Sequence, residues 1–299
     1  NEVFIGQVFF VDSGDSNARD DKSHGMKRAS YATMDFADGL CAANNGDLVV
    51  VLPGHVETVT AAAGLDLNTA GVTWRGIGHG SNTPTIKFTT ATTADMNIDG
   101  ANITLVNFLF EARVNLLAAP IDINAADCVF INVECRDITV AGKSSIGSAT
   151  SWIVTDANAD RLFIDNFKLI GTDTIAAGVH PISGISLTGG DDIILRNINI
   201  YGNFAYGNIM VTATPCTRLT IGGFNTHNQL WTENSTDTVI SALTSTGFIG
   251  PNIACMLADN AANLTGAVRG VSMQYIKPIQ IVNLAGESST NTTITESTN

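Results

Sequence analysis

The sequence predicts an all-β chain folded as one right-handed parallel β-helix, and three observations predict it. A single Asn or Gly recurs at Gly76, Asn107, Asn132, Asn166, Asn197, Gly223, Gly247 and Gly270. Apolar and polar residues alternate on both sides of that residue. The interval between repeats, 23 to 34 residues, is the length of one rung of a stacked coil.

Asn and Gly accept the left-handed backbone most readily, so each repeat marks a corner where a strand turns without a loop. Four residues before the corners stand Val72, Ile103, Cys128, Leu162, Ile193, Leu219, Leu243 and Gly266. Two before stand Trp74, Leu105, Phe130, Ile164, Leu195, Ile221, Ser245 and Val268, and one after come Ile77, Phe108, Val133, Phe167, Ile198, Phe224, Phe248 and Val271. This is the period of two required of a strand with one buried face. One rung cannot bury its inward side chains alone, whereas stacked rungs join them into columns. Eight or nine rungs, each about 4.8 Å thick, would give a rod roughly 40 Å long.

The chain divides into an entry segment, 1–46, the coil, 47–283, and a polar tail, 284–299. Gln7 to Asp12 reads as a short apolar strand, and Ser13 to Lys27 as a polar loop. An amphipathic helix follows, with Ser30 as N-cap and Tyr31, Met34, Ala37, Leu40 and Cys41 on one face, ended by Asn44, Asn45 and Gly46. Leu48 to Leu52 begins the coil. An open β-helix end exposes unpaired backbone and the ends of its apolar columns, and a helix laid across it is the expected remedy.

Ala61 to Leu67 is Ala-rich and reads as a turn with a strand, and Gly76 to Gly80 closes the first rung. The rungs of Asn132 and Asn166 are longer than those after them. Their extra residues, Arg136 to Trp152 and Gly171 to Gly184, read as neighbouring lateral loops, with Arg136, Asp137, Lys143, Trp152, Asp173 and His180 as candidate contact residues. From Asn203 onward the rungs are plain, and beyond Leu284 the chain is polar with no core of its own.

The runs Phe10 to Gly14, Ala32 to Asp35, Gly46 to Val51 and Pro53 to Glu57 resemble the N-terminal entry of pectin-lyase-like β-helix proteins. The likeness is strongest to the small versions carried by tailed bacteriophages, especially marine ones. It covers the chain specifically to about Gly80 and the remainder only as a repeat pattern. It implies a virion component assembled in the host cytoplasm and exposed as a head decoration, fibre or tail appendage. Capsid or tail proteins, or a host surface glycan, would then be its partners.

Composition narrows the classes further. The net charge is −13 and only 15 Lys and Arg are spread over 299 residues, which argues against a nucleic-acid partner. No apolar run approaches the roughly 18 residues that span a bilayer, and no signal peptide is visible, so no membrane partner is expected. Cys41, Cys128, Cys135, Cys216 and Cys255 form no CxxC pair. They read as free core thiols, which a reducing cytoplasm would tolerate.

Gly189-Gly190-Asp191-Asp192 and Gly78-His79-Gly80 resemble motifs of polygalacturonase-type hydrolases, but in inverted order and without the Arg-x-Lys of that family. Asp99, Asp127, Asp160 and Asp191 precede successive strands. Stacked, they suit either Asx turns or a calcium column, and Asx turns explain them with fewer requirements, so neither metal nor cofactor is expected. A lyase needs a basic side chain beside such acids, and Arg161, Arg196 and Arg218 fall at different positions.

The expectation is therefore a non-enzymatic structural protein, with a polysaccharide-degrading or glycan-binding β-helix as the alternative. Outward apolar residues, Val106, Ile131, Phe163, Ile194 and Ile249, together with the unprotected last rungs, point to a homotrimer of rods. A monomer whose tail folds over the open end is the alternative there.

Overall fold

The computed structural model describes residues 6–114, 117–138, 151–171, 181–202, 204, 207–212, 214–228, 240–257, 268–269, 272–276 and 279–283. The entry holds β1 (Val8–Val11), α1 (Met34–Asp38), β2 (Leu48–Val51), β3 (Val56–Val59), β4 (Leu65–Leu67), β5 (Thr73–Gly76), β6 (Thr85–Phe88) and β7 (Met96–Ile98). The middle of the coil is β8 (Thr104–Ala112), β9 (Ile121–Ile123), β10 (Val129–Asp137), β11 (Ser151–Thr155), β12 (Phe163–Ile170), β13 (Ser183–Leu187), β14 (Ile194–Gly202), β15 (Gly207–Val211) and β16 (Leu219–Asn228). The far end contributes β17 (Ile240–Ser241), β18 (Thr246–Ile249), β19 (Ile253–Leu257), β20 (Val268–Arg269), β21 (Ser272–Tyr275) and β22 (Ile279–Asn283).

These strands stack in parallel into a β-solenoid with two sheets. A 14-stranded sheet runs β1, β2, β5, β8, β10, β12, β14, β16, β18, β21, with β3, β6, β19 and β22 beside that path. An 8-stranded sheet runs β4, β7, β9, β11, β13, β15, β17, β20. The parallel β-helix expected from the sequence is thus the fold observed.

Register carries the inward side chains into continuous columns. Trp74, Leu105, Phe130, Ile164, Leu195 and Ile221 form one. Phe108, Val133, Phe167, Ile198 and Phe224 form a second beyond the corner. Leu65, Met96, Ile121, Ile153, Ile185, Ile209 and Ile240 face them from the smaller sheet. All are buried, each contributing about 1.5 to 3 kcal/mol to the stack. Cys128 and Cys135 join this interior, and Cys41, Cys128, Cys135 and Cys216 are free thiols.

The long strands bend at Asn107, Asn132, Asn166, Asn197 and Gly223, with φ of 64°, 55°, 54°, 52° and 58°. Their side chains form a ladder along the axis. Asn166 Nδ2 donates to Asn132 Oδ1 at 3.0 Å, and Asn132 Nδ2 donates to Asn107 Oδ1 at 2.7 Å. Asn107 Nδ2 then donates to the carbonyls of Gly76 and Gly78, at 2.9 and 3.1 Å.

Two predicted corners need correction. Gly76 is not left-handed; it is required because a Cβ there would sit 2.1 Å from the Asn107 carbonyl oxygen. Gly247 lies inside β18 against Leu219, and the corner of that turn is Asn252, with φ of 62°. Ile221 pairs with Ile249 and Phe224 with Ile253, so this turn inserts one residue more than its predecessor. Ile249 stands in register with the inward Ile221, ahead of the corner at Asn252, and is buried instead of facing out. Gly270 lies outside the described residues.

A second left-handed column precedes the first by five residues: Gly71, Asn102, Asp127, Arg161, Asp192 and Arg218, with φ between 56° and 78°. The N–H of Asn102 donates to the Ala126 carbonyl, that of Asp127 to Asp160, that of Arg161 to Asp191 and that of Asp192 to Thr217. Residue type varies here, so the column leaves no Asn/Gly signature in the sequence.

The entry closes the first rung. β1 adds to β2, and its outer edge pairs with the Gly25–Tyr31 segment through Phe10, Tyr31 and Asp12. Tyr31 is therefore held in a bridge to Val11, and the helix starts later than expected, with Thr33 rather than Ser30 as N-cap. It ends at Asp38, so Leu40 and Cys41 lie beyond it. Its carboxylates replace the missing strand beside β4: Asp35 Oδ1 accepts from the Asp66 N–H at 3.4 Å, and Asp38 Oδ2 from those of Asn68 and Thr69 at 3.2 and 3.1 Å.

Candidate functional site

The asparagine ladder ends at a cleft. Asn107 holds the Gly76–Gly78 carbonyls, and the next residue, His79, leads a short 3-10 turn, Gly80–Asn82, that stands beside β8. His79, Gly80 and Thr83 form one wall, and Asn107, Asn132, Glu134 and Arg136 line the rest over a floor of Phe108 and Leu109. The cleft holds about 220 Å³. Glu134 and Arg136 face out because Val133 and Cys135, which alternate with them, face in, as the pleat of β10 demands.

Glu134 is the electrostatic centre. Its Oε1 accepts from Arg136 Nε at 2.6 Å and lies 3.6 Å from Lys168 Nζ on the next strand. Register places Lys87, Glu111 and Arg136 in one outward row, and Glu111 accepts from Arg113 Nε at 2.7 Å. Among the described residues, the cations Lys87, Arg113, Arg136 and Lys168 stand around the carboxylates Glu111 and Glu134, a local surplus of cations on a chain of −13.

Three further outward acids are paired with arginines. Asp127 and Arg161 form a two-pronged pair, as do Asp192 and Arg218 at 2.6 and 2.7 Å, and Arg196 Nη2 reaches Asp165 at 2.8 Å. Hydrogen bonds from these guanidinium groups hold the Asp127, Asp165 and Asp192 carboxyls below the usual range, so they stay ionised and are poor general acids. Desolvation pushes the Cys128 and Cys216 thiols up to about 11 and Cys41 to about 12, which removes them as nucleophiles at neutral pH.

The expected column of Asp99, Asp127, Asp160 and Asp191 does not form. Asp127 is itself a left-handed residue paired with Arg161, Asp160 accepts the Asp191 N–H at 2.7 Å, and Asp99 accepts from Asn124 at 2.9 Å. Asp191 and Asp192 stand at the column before β14, whereas His79 lies past the corner of the earlier turn, so the two motif fragments are not brought together.

Of the candidate contact residues, Arg136 lies in the cleft. Asp137 is 9% exposed at the end of β10, and Trp152 is wholly buried in β11, so neither belongs to a lateral loop. The loop reading failed at Trp152 because Ser151–Thr155 is a rung of the smaller sheet that pairs with β9 and β13. Lys143, Asp173 and His180 lie outside the described residues. Sequence reasoning missed Glu134 and Lys168 as a pair, although both occupy the same place after their corners, two residues past Asn132 and Asn166.

No family model matches the chain, and no curated protein matches its sequence. Among solved structures it is similar to a rhamnogalacturonan lyase, at 11% identity and a TM-score of 0.48, over 90% of this chain and 73% of that one. The likeness is one of the coil, and no activity follows from it.

Proposed function

We propose that this chain is a glycan-binding parallel β-helix whose cleft at His79, Asn132, Glu134 and Arg136 takes an anionic polysaccharide without cutting it. The observation that carries this reading is the local surplus of cations, Lys87, Arg113, Arg136 and Lys168, on the surface of a strongly acidic chain. An anionic ligand is repelled by the acidic surface elsewhere and attracted here. Strands about 4.8 Å apart repeat at close to the length of one sugar residue, so adjacent rungs can meet adjacent sugars. The carboxylates within reach are paired with Arg or Lys, which suits recognition better than proton transfer.

A titration by calorimetry with alginate or polygalacturonate, with neutral dextran as control, tests the reading. Arg136→Ala and Lys168→Ala should each weaken binding about tenfold, the loss of one charge-assisted hydrogen bond. Equal affinity in the variants, or no binding to any acidic glycan, would refute it. Release of reducing ends or unsaturated products would refute the non-catalytic half.

The second reading is a virion component, and the entry favours it. The residues that carry the phage resemblance are those that close the first rung: Phe10 and Val11 in β1, Asp35 on the edge of β4, and His55 and Glu57 beneath the helix. Immunogold labelling of phage particles with antibody to this chain tests the placement, and unlabelled particles would reject it.

A further inference from the structure

The cleft is too small to hold an oligosaccharide by itself. It measures about 220 Å³, whereas a site that encloses a drug-sized ligand takes about 300 to 1,000 Å³, so a sugar chain seated there continues over the surface. The wall of His79, Gly80 and Thr83 stands on the side of the earlier rung, where the 3-10 turn precedes β6. The other direction along the coil leads across β12 to β14.

Register makes that path two rows wide. Glu134, Lys168 and Asn199 stand in one outward row, and Arg136, Ile170 and Tyr201 in the row beside it. Their inward neighbours Cys135, Leu169 and Ile200 are buried, whereas Tyr201 is 39% exposed. Charge runs out along the rows. β10 carries Glu134 and Arg136, β12 carries Lys168 beside the half-buried Ile170, and past its corner β14 carries no Lys, Arg, Asp or Glu. The backbone that bears the tyrosine is closely held: Gly171 N–H donates to the Tyr201 carbonyl at 2.6 Å, and a Cβ at Gly202 would lie 3.0 Å from Gly171 Cα.

We propose that Tyr201 is a stacking platform for the third sugar of the acidic chain whose first sugar lies in the cleft. The proposal rests on the glycan-binding reading above and adds the length of the ligand and the residue that measures it. A pyranose ring presents a face of axial C–H bonds, and a tyrosine presents an apolar ring face with a polar tip. Neither group is charged, so this contact selects ring shape rather than acidity. At about 4.8 Å per rung, Tyr201 stands roughly 10 Å along the axis from Arg136, the span of two sugar residues. The first sugar then meets Glu134 and Arg136, the second Lys168 and Ile170, and the third Tyr201. The ligand is an acidic pyranose chain of at least three sugars.

Competition for bound polygalacturonate by oligogalacturonates of two, three and four sugars tests this. Affinity should step up about tenfold between two sugars and three. Tyr201→Ala should remove that step and leave the disaccharide, which takes the charged end, unchanged. Tyr201→Phe should keep the step, because the ring and not the hydroxyl stacks. Tyr201→Thr, suited to a strand, serves if the Ala variant misfolds. Arg136→Ala should weaken all three lengths. If it does so while a folded Tyr201→Ala or Tyr201→Thr binds like wild type, or loses as much for two sugars as for three, the platform is overturned and the cleft stands. No effect of Arg136→Ala, or no binding of any length, would overturn both.

Discussion

The carboxamide of Asn132 is both donor and acceptor along the coil axis: its Nδ2 donates to Asn107 Oδ1 at 2.7 Å while its Oδ1 accepts from Asn166 Nδ2 at 3.0 Å. Asn is selected at this corner for two separable reasons, its tolerance of φ near 55° and its place in the ladder. Asn132→Gly keeps the first and loses the second, and should cost about 1 kcal/mol. Asn132→Val loses both and should cost about 2 to 3 kcal/mol, because Cβ then crowds the carbonyl. Urea unfolding of the two variants measures the difference, and equal stabilities would mean that the conformation of the corner is immaterial.

Trp152 gives the second prediction. It is wholly buried in β11, and its Nε1 has no hydrogen-bond partner among the described residues. Trp152→Ala should cost about 3 to 5 kcal/mol, the range for emptying an aromatic site in a packed core. Trp152→Phe removes the unpartnered N–H along with part of the volume, and should cost less than half as much. A loop residue would show neither effect, so a change in urea midpoint too small to measure in Trp152→Ala would dissolve the strand assignment.

These two residues show what was legible in the sequence. The corner at Asn132 announces itself because long inward–outward alternation flanks a residue type suited to positive φ. The second sheet does not, since its early rungs are runs such as Leu65–Leu67 and Ile121–Ile123, too short to establish a period. The strand of Trp152 is hidden for the same reason behind a long connection. The cleft is intermediate: Arg136 stands out at the end of a strand, but Glu134 and Lys168 become partners only when stacking brings residues 34 apart in sequence together.

His55 supplies a third prediction. It is wholly buried, its Nδ1 accepts from the Ser13 N–H at 2.9 Å, and its Nε2 meets Glu57 Oε2 at 3.1 Å. An Nδ1 that accepts carries no proton, so the ring is neutral and Nε2–H donates to Glu57, which also accepts from the Met34 N–H at 2.8 Å. One side chain therefore ties the entry loop, and through Glu57 the helix, to the first rung. His55→Leu leaves the Ser13 N–H and one Glu57 contact unmet and should cost about 2 to 3 kcal/mol. Hydrogen exchange should quicken in Val8–Val11 before it does in β12. Uniform protection in the variant would show that the cap does not depend on this contact.

The fourth prediction concerns pH. Asp66, Asp95 and Asp122 lie along the smaller sheet with carboxyls raised above the usual range, chiefly by desolvation, and at Asp122 also by the nearby Asp95, Asp156 and Asp99. A carboxyl whose folded pKa exceeds its unfolded value of about 3.9 binds its proton more tightly in the folded state. Its charged form therefore weakens the fold at neutral pH, and stability returns as pH falls through the folded pKa toward about 4. Asp127, Asp165 and Asp192 have the opposite sign: their contribution is complete above about 4 and is lost only below it. Asp122→Asn keeps an acceptor for the Asn124 side chain and removes the charge. It should raise the melting temperature at pH 7, and the gap from wild type should close as the pH falls through the folded pKa toward about 4. Because the two proteins share every other titrating group, calorimetric scans of both across that range report Asp122 together with its coupling to Asp95, Asp99 and Asp156. A gap that widens on acidification would show that this carboxylate stabilises the folded chain and that its burial is offset by its partners.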